Sequence, residues 1–414
     1  MTRGTVIVGS GHAGSLAAVT LRRMGYDDPI TLIGNENVVP YHRPPLSKGF
    51  LKRDNTDPTP LRAESAYTTA GITCLRGVEA AALDLDAKTV RLADGASISF
   101  DKAVLATGAV PRRPAVKGLE HDGVYTLRSA SDARAVRKAL QTARNAIVVG
   151  GGFIGFETAA TITASGCPVT VVEIGSRVLT RGTSLTIAAH AQAHLERNGV
   201  QFYLGTGITA VIDRPGGGTT IVTSAGEMLH ADLVVLGTGV VPDCRLAAAA
   251  GLACDDGILV DATLRTSHPD VFAIGDCARF DHWLTGGTVR LESVQNATDQ
   301  ARHAARAIIG SQEPYRAVPW FWSDIGDLKL QMVGLLGTAD RQVLSGSMSE
   351  GNFSVYHFSG PRLVAVDSVN RPSDHMAARK LISAGYSPTV EEIITGQLPN
   401  LLRAGDGVRI PAEA

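Results

Sequence analysis

Two short stretches of this chain carry glycines at a spacing that suits phosphate binding. Gly9, Gly11 and Gly14 follow the apolar run Thr5-Val6-Ile7-Val8, and Gly150, Gly152 and Gly155 follow Ala146-Ile147-Val148-Val149. In a Gly-x-Gly-x-x-Gly turn the first glycine permits the tight exit from a strand. The second lets the backbone approach a pyrophosphate, and the third lets helix and strand pack closely. N–H groups at the start of the following helix then face the phosphate oxygens. One such run is a weak signal; two, each between a strand and a helix, predict two dinucleotide sites.

The residue ending the next strand should hold a ribose. After the second loop, Val169-Thr170-Val171-Val172 leads to Glu173 at the expected distance. A carboxylate there accepts from both ribose hydroxyls of NAD and repels the 2′-phosphate of NADP. Arg177 nearby partly compensates, so the expectation is a preference for NADH. After the first loop the corresponding residues are Asn35-Glu36. Glu36 is the candidate ribose ligand, with Asn35 where an acid is expected.

Other residues stand where chemistry is possible. Tyr41-His42-Arg43-Pro44-Pro45-Leu46-Ser47-Lys48 is stiffened by two prolines, which fix two φ angles and deliver a lysine. The runs ending at Thr107-Gly108 and Thr238-Gly239 are buried-strand patterns closing in small-residue turns. Asp276 follows the apolar strand Val271-Phe272-Ala273, where ligands of parallel sheets bind; a helix N-cap would use the same geometry. The five cysteines, Cys74, Cys167, Cys244, Cys254 and Cys277, contain no CxxC and no metal-ligand spacing. No metal site is expected.

These residues need elements to hold them. The chain has 414 residues, enough for two to three domains, with 44% hydrophobic and 19% charged residues and a net charge of −1. That balance gives no basic footprint for nucleic acid, and no apolar stretch reaches the roughly 18 residues of a membrane span. The first strand starts too soon after Met1 for a signal peptide, and the expectation is a cytoplasmic protein. The pattern predicts an α/β fold. One nucleotide domain is expected from 1–110 and 237–315, a second from 111–236, and a C-terminal α+β domain from 316–414. Within the second, a helix is expected over 184–198 and a hairpin around Pro215-Gly216-Gly217-Gly218. The last should hold strands over 328–333, 341–344, 353–358 and 363–369 and a helix over 374–384.

Together these motifs resemble the FAD-dependent NADH:ferredoxin reductases of the putidaredoxin reductase type, which serve cytochrome P450 and ring-hydroxylating dioxygenase systems. The resemblance runs over nearly the whole chain. Its markers are the Tyr41–Lys48 stretch, Gly150–Glu157, Phe272–Ala278, Arg290–Ala297 and Trp320-Phe321-Trp322-Ser323-Asp324. It implies two Rossmann-like, glutathione-reductase-like domains, with FAD on the first loop and NAD(H) on the second. It implies FAD contacts at Ala13, Asn35, Lys48, Ala80, Arg128, Asp276 and Val294. Arg43, Thr107, Gly108, Ile154 and Gly239 complete the candidate cofactor residues. Lys48 and Glu157 match a pair near the isoalloxazine and are the candidate catalytic residues, and Trp322 matches an aromatic close to the flavin. The implied partner is a [2Fe–2S] ferredoxin, with Arg43, Arg302 and Arg306 as candidate docking residues. Reduction of rubredoxin or of a dioxygenase ferredoxin component is a neighbouring alternative. An apoptosis-inducing-factor-like signalling protein is one from another class. A disulfide reductase is excluded, because Pro44–Lys48 stands where two cysteines would be required.

Overall fold

The computed structural model describes residues 3–52, 57–214, 217–337 and 339–396. The chain forms two compact units: residues 1–42, 59–110 and 240–319, and residues 43–58, 111–239 and 320–414.

The first unit is built on a five-stranded sheet in the order Val271–Ala273, Lys102–Leu105, Thr5–Val8, Ile30–Gly34, Ile72–Arg76. Every pairing in it is parallel. Alternation along these strands assigns the two faces. Ile7, Leu32, Val104 and Phe272 join the core beneath the helices His12–Arg23 and Val294–Ile308. Val6, Val8, Ile33, Ala103, Leu105, Val271 and Ala273 point to the other face, toward the antiparallel strands Ala80–Asp84, Thr89–Leu92 and Ser97–Ser99. A sheet covered on both faces explains why its strands read as unbroken apolar runs.

The second unit repeats the plan with Gln201–Tyr203, Val169–Val172, Ala146–Val149, Leu233–Leu236 and Val124–Thr126, again all parallel. The helix expected over 184–198 is Leu185–Arg197. Strands Ile208–Asp213 and Thr219–Thr223 pair antiparallel; of the hairpin turn expected between them, Pro215 and Gly216 lie outside the described residues. The unit also contains an antiparallel sheet in the order Trp320–Ile325, Leu328–Gly334, Arg362–Val369, Asn352–Ser359, Arg341–Ser347, with the helix Pro372–Ser383 packed on it. Four of these strands and the helix coincide with expected segments within about two residues, except that Arg341–Ser347 runs three residues past its expected end. Trp320–Ile325 was not anticipated as a strand, nor was the short helix Val390–Ile394.

Candidate active site and its two nucleotide loops

In the first unit Gly9 has φ 111°, and a Cβ there would lie 2.1 Å from the Ala106 carbonyl oxygen. A Cβ on Gly14 would meet the Gly9 carbonyl oxygen at 1.9 Å, whereas one on Gly11 meets nothing within 4 Å. The turn is therefore closed where chain meets chain and open where a phosphate would approach. The helix His12–Arg23 has no side-chain cap and no acid in its first turn, so no side chain competes with an anion for its first N–H groups.

The second loop has the same construction. Gly150 has φ 109° and a Cβ there would lie 2.3 Å from the Gly237 carbonyl oxygen. A Cβ on Gly155 would meet the Gly150 carbonyl oxygen at 2.1 Å, while one on Gly152 has a single neighbour, at 4.0 Å. The helix Phe153–Thr163 is likewise uncapped and free of acids in its first turn. Both loops fit a dinucleotide pyrophosphate by their steric openings and by their bare N–H groups.

The strand-end residues differ. Glu173 accepts from the Gly151 N–H at 2.6 Å through one oxygen and from the Gly175 N–H at 2.7 Å through the other. It braces the loop from beneath. Asn35 is exposed, and Glu36 accepts from the Tyr41 hydroxyl at 2.7 Å.

In the first unit Asp276 lies in the first turn of the 3₁₀ segment Gly275–Cys277. The buried Gln300 side chain accepts from the Gly275 N–H at 2.7 Å, and a Cβ on Gly275 would lie 3.1 Å from that of Ala13. The Asp276 turn is thereby held against the first loop. Val294 opens its helix behind the N-cap Ser293, Thr107 donates to the Asp243 carbonyl at 2.6 Å, and Gly108 has φ 71°. Ala80 is half-buried at the head of its strand. Sequence reasoning missed His12, whose ring centroid is 5.9 Å from that of His42. Burial lowers its pKa, His42 adds to the effect, and Asp276 opposes it. Arg302 and Arg306 are exposed one turn apart on Val294–Ile308, with Arg302 3.7 Å from Asp299.

In the second unit Pro44–Ser47 form a 3₁₀ turn with prolines at its start, followed by the helix Gly49–Lys52. The Lys48 ammonium lies 2.7 Å from a Glu157 carboxylate oxygen. Glu157 also accepts from the Ser47 hydroxyl at 2.6 Å and from the Ser323 hydroxyl at 2.7 Å. The pair named from the sequence is brought together; the two serines were missed, although both stand inside quoted motifs. The Arg43 guanidinium donates to the Arg128 carbonyl at 2.7 Å. Trp322 is half-buried, its ring centroid 5.8 Å from that of Trp320. Ile154 is 46% exposed at the second loop, and Gly239 has φ 85°.

No cysteine stands in the Pro44–Lys48 turn. Burial pushes all five thiols up, Cys244 to about 12, the opposite of what thiolate chemistry requires. Among the described residues no cluster could hold a metal ion, and no helix is long and apolar enough to cross a membrane.

Two glycine loops on two parallel sheets, with a half-buried lysine on a buried carboxylate and no cysteine in the Pro44–Lys48 turn, define a flavoprotein oxidoreductase that uses FAD and NAD(H). Residues 3–301 match the model described as pyridine nucleotide-disulphide oxidoreductase, and residues 320–399 match reductase C-terminal. The chain belongs to the pyridine nucleotide-disulphide oxidoreductase family. It is 44% identical to rhodocoxin reductase of Rhodococcus erythropolis, over 94% of this chain and 91% of that one. It is similar in structure to the ferredoxin reductase of the CYP199A2 system from Rhodopseudomonas palustris (TM-score 0.93, 39% identity, 96% and 99% of the two chains). The reductase in the covalent putidaredoxin reductase–putidaredoxin complex is also similar (TM-score 0.92, 35% identity, 97% and 99%).

Proposed function

We propose that this protein passes electrons from NADH, through FAD, to a [2Fe–2S] ferredoxin that serves a cytochrome P450 or a related oxygenase in the cytoplasm. FAD occupies the first loop, with contacts drawn from Ala13, Asn35, Glu36, Thr107, Gly108, Ala80, Asp276 and Val294. NADH occupies the second, with Ile154, Glu173 and Gly239 beside the glycines. Flavin bound there would supply the conversion of a two-electron hydride donor, NADH, into two one-electron transfers. Lys48 supplies positive charge toward the flavin, stabilising negative charge on the reduced ring. Glu157 holds that ammonium through a charge-assisted hydrogen bond. Arg43, Arg128 and Trp322 are the remaining cofactor candidates that the resemblance implies, and Arg43, Arg302 and Arg306 are the ferredoxin-docking candidates.

The observation that carries this reading is the 2.7 Å Lys48–Glu157 pair at the place where a disulfide reductase would need its thiols. Stopped-flow reduction of the flavin by NADH tests it: Lys48→Met should slow the step about tenfold or more, as loss of one charge-stabilising group does. An unchanged rate would remove Lys48 from the mechanism. A panel of ferredoxins assayed with NADH and NADPH then identifies the acceptor. Strong DNA binding with negligible NADH oxidation would instead favour a signalling role.

A further inference from the structure

Glu157 is 4% exposed and is met by three donors from two segments: Lys48 and Ser47 on one oxygen, Ser323 on the other. Ser47 and Ser323 are 3% and 1% exposed. Their O···O distances of 2.6 and 2.7 Å are those of hydroxyls bonded to an anion. The helix Phe153–Thr163 grips Ser47 twice. Glu157 takes its hydroxyl, and Thr161, one turn further on, donates to its carbonyl at 2.9 Å. Lys48 by contrast has a flexible stem, and its other bond, to the Pro44 carbonyl, is long at 3.4 Å. A lone lysine–carboxylate pair holds its geometry weakly because both side chains retain rotational freedom. The carboxylate plane here is fixed from both edges before the ammonium meets it.

We propose that Ser47 and Ser323 are positioning residues: they fix the Glu157 carboxylate so that the Lys48 ammonium has one location. The proposal rests on the Lys48–Glu157 reading above and assigns the strand Trp320–Ile325 a part in the chemistry. Ser323 reaches Glu157 from that strand, so the C-terminal sheet supports the ammonium through the carboxylate.

The test combines labelling and kinetics on Ser47→Ala, Ser323→Ala, their double variant and Lys48→Met. Acylation of Lys48 by acetic anhydride, followed by mass spectrometry on flavin-free and flavin-loaded protein, reads the ammonium without turnover. It should be about threefold faster in each serine variant and faster still in the double, from loss of bonds to a charged group. Flavin reduction by NADH should slow by about tenfold in the double variant, and the flavin midpoint potential should move in the negative direction. Combined with Lys48→Met, the serine substitutions should add nothing, which a merely structural role would not produce. Wild-type labelling and wild-type reduction in the double variant, while Lys48→Met slows reduction, would overturn the serine proposal alone. If Lys48→Met has no kinetic effect, the catalytic reading fails, and the labelling rates by themselves decide whether the serines hold the ammonium.

Discussion

The two glycine loops share a backbone and differ in how they are braced. At Gly9 and Gly150, φ lies near 110° and a Cβ would strike a carbonyl oxygen at 2.1 and 2.3 Å. Both helices start bare. Beneath the second loop Glu173 ties two backbone N–H groups at once. Beneath the first, Glu36 is engaged with Tyr41, and Gly275 lies so near Ala13 that a Cβ on it would come within 3.1 Å of the alanine's. The phosphate cradle is a property of glycine geometry, whereas the ribose end and the first helical residue are free to differ. At that residue the first loop has His12 and the second Phe153.

The sharpest way to break this parallel is to block each loop in turn. Gly9→Ala should yield protein without flavin absorbance. Gly150→Ala should keep its flavin and lose reduction by NADH, since each alanine combines a left-handed φ with a backbone clash costing about 3 kcal/mol. Loss of flavin from both variants would mean that the loops are not separate sites. Next in size, Glu173→Gln should weaken NADH binding about 10- to 100-fold, from loss of charge-assisted bonds, and should narrow the preference over NADPH. Asn35→Asp should tighten FAD by only a few-fold, and titration of both variants measures the asymmetry. On the first-loop side, Arg302→Glu should raise the apparent KM for ferredoxin about tenfold while ferricyanide reduction is unchanged, as charge reversal at a docking rim does. Equal loss of both activities would count against docking there.

The smallest effect concerns pH. The His12 pKa is lowered in the fold, so between the ordinary imidazole value near 6.5 and the lower folded value the unfolded chain binds the proton first. Stability of the flavin-free protein should therefore fall as pH drops through that window, then level off below it. His12→Phe, which copies the second loop, should remove that part of the slope in acid melting curves. An unchanged slope would mean that another histidine carries it.

Much of this was legible because it is local. Strand, glycine turn and helix are written in adjacent residues, and strand-like segments separated by turns marked four strands of the C-terminal sheet. Trp320–Ile325 escaped because three consecutive aromatics, all half-buried, give no alternation. Val390–Ile394 had a signal in its Thr389–Glu392 capping box, but one helical turn carries no periodicity. The serine pair was out of reach for a different reason: Ser47 and Ser323 meet Glu157 across separations of 110 and 166 residues. Only the completed topology sets those meetings.

The interrupted path of the first unit also bears on how the chain is made. Lys102–Leu105 pairs with Thr5–Val8 on one side and with Val271–Ala273 on the other. At about 5–20 residues per second of synthesis, that second neighbour emerges roughly ten to thirty seconds later. Throughout the wait, Ala103, Val104 and Leu105 form an open parallel edge, the kind of surface that invites wrong pairing. All five strands of the second parallel sheet lie between residues 124 and 236 and leave the ribosome in that interval. The nucleotide sheet begun first on the ribosome is the one finished last.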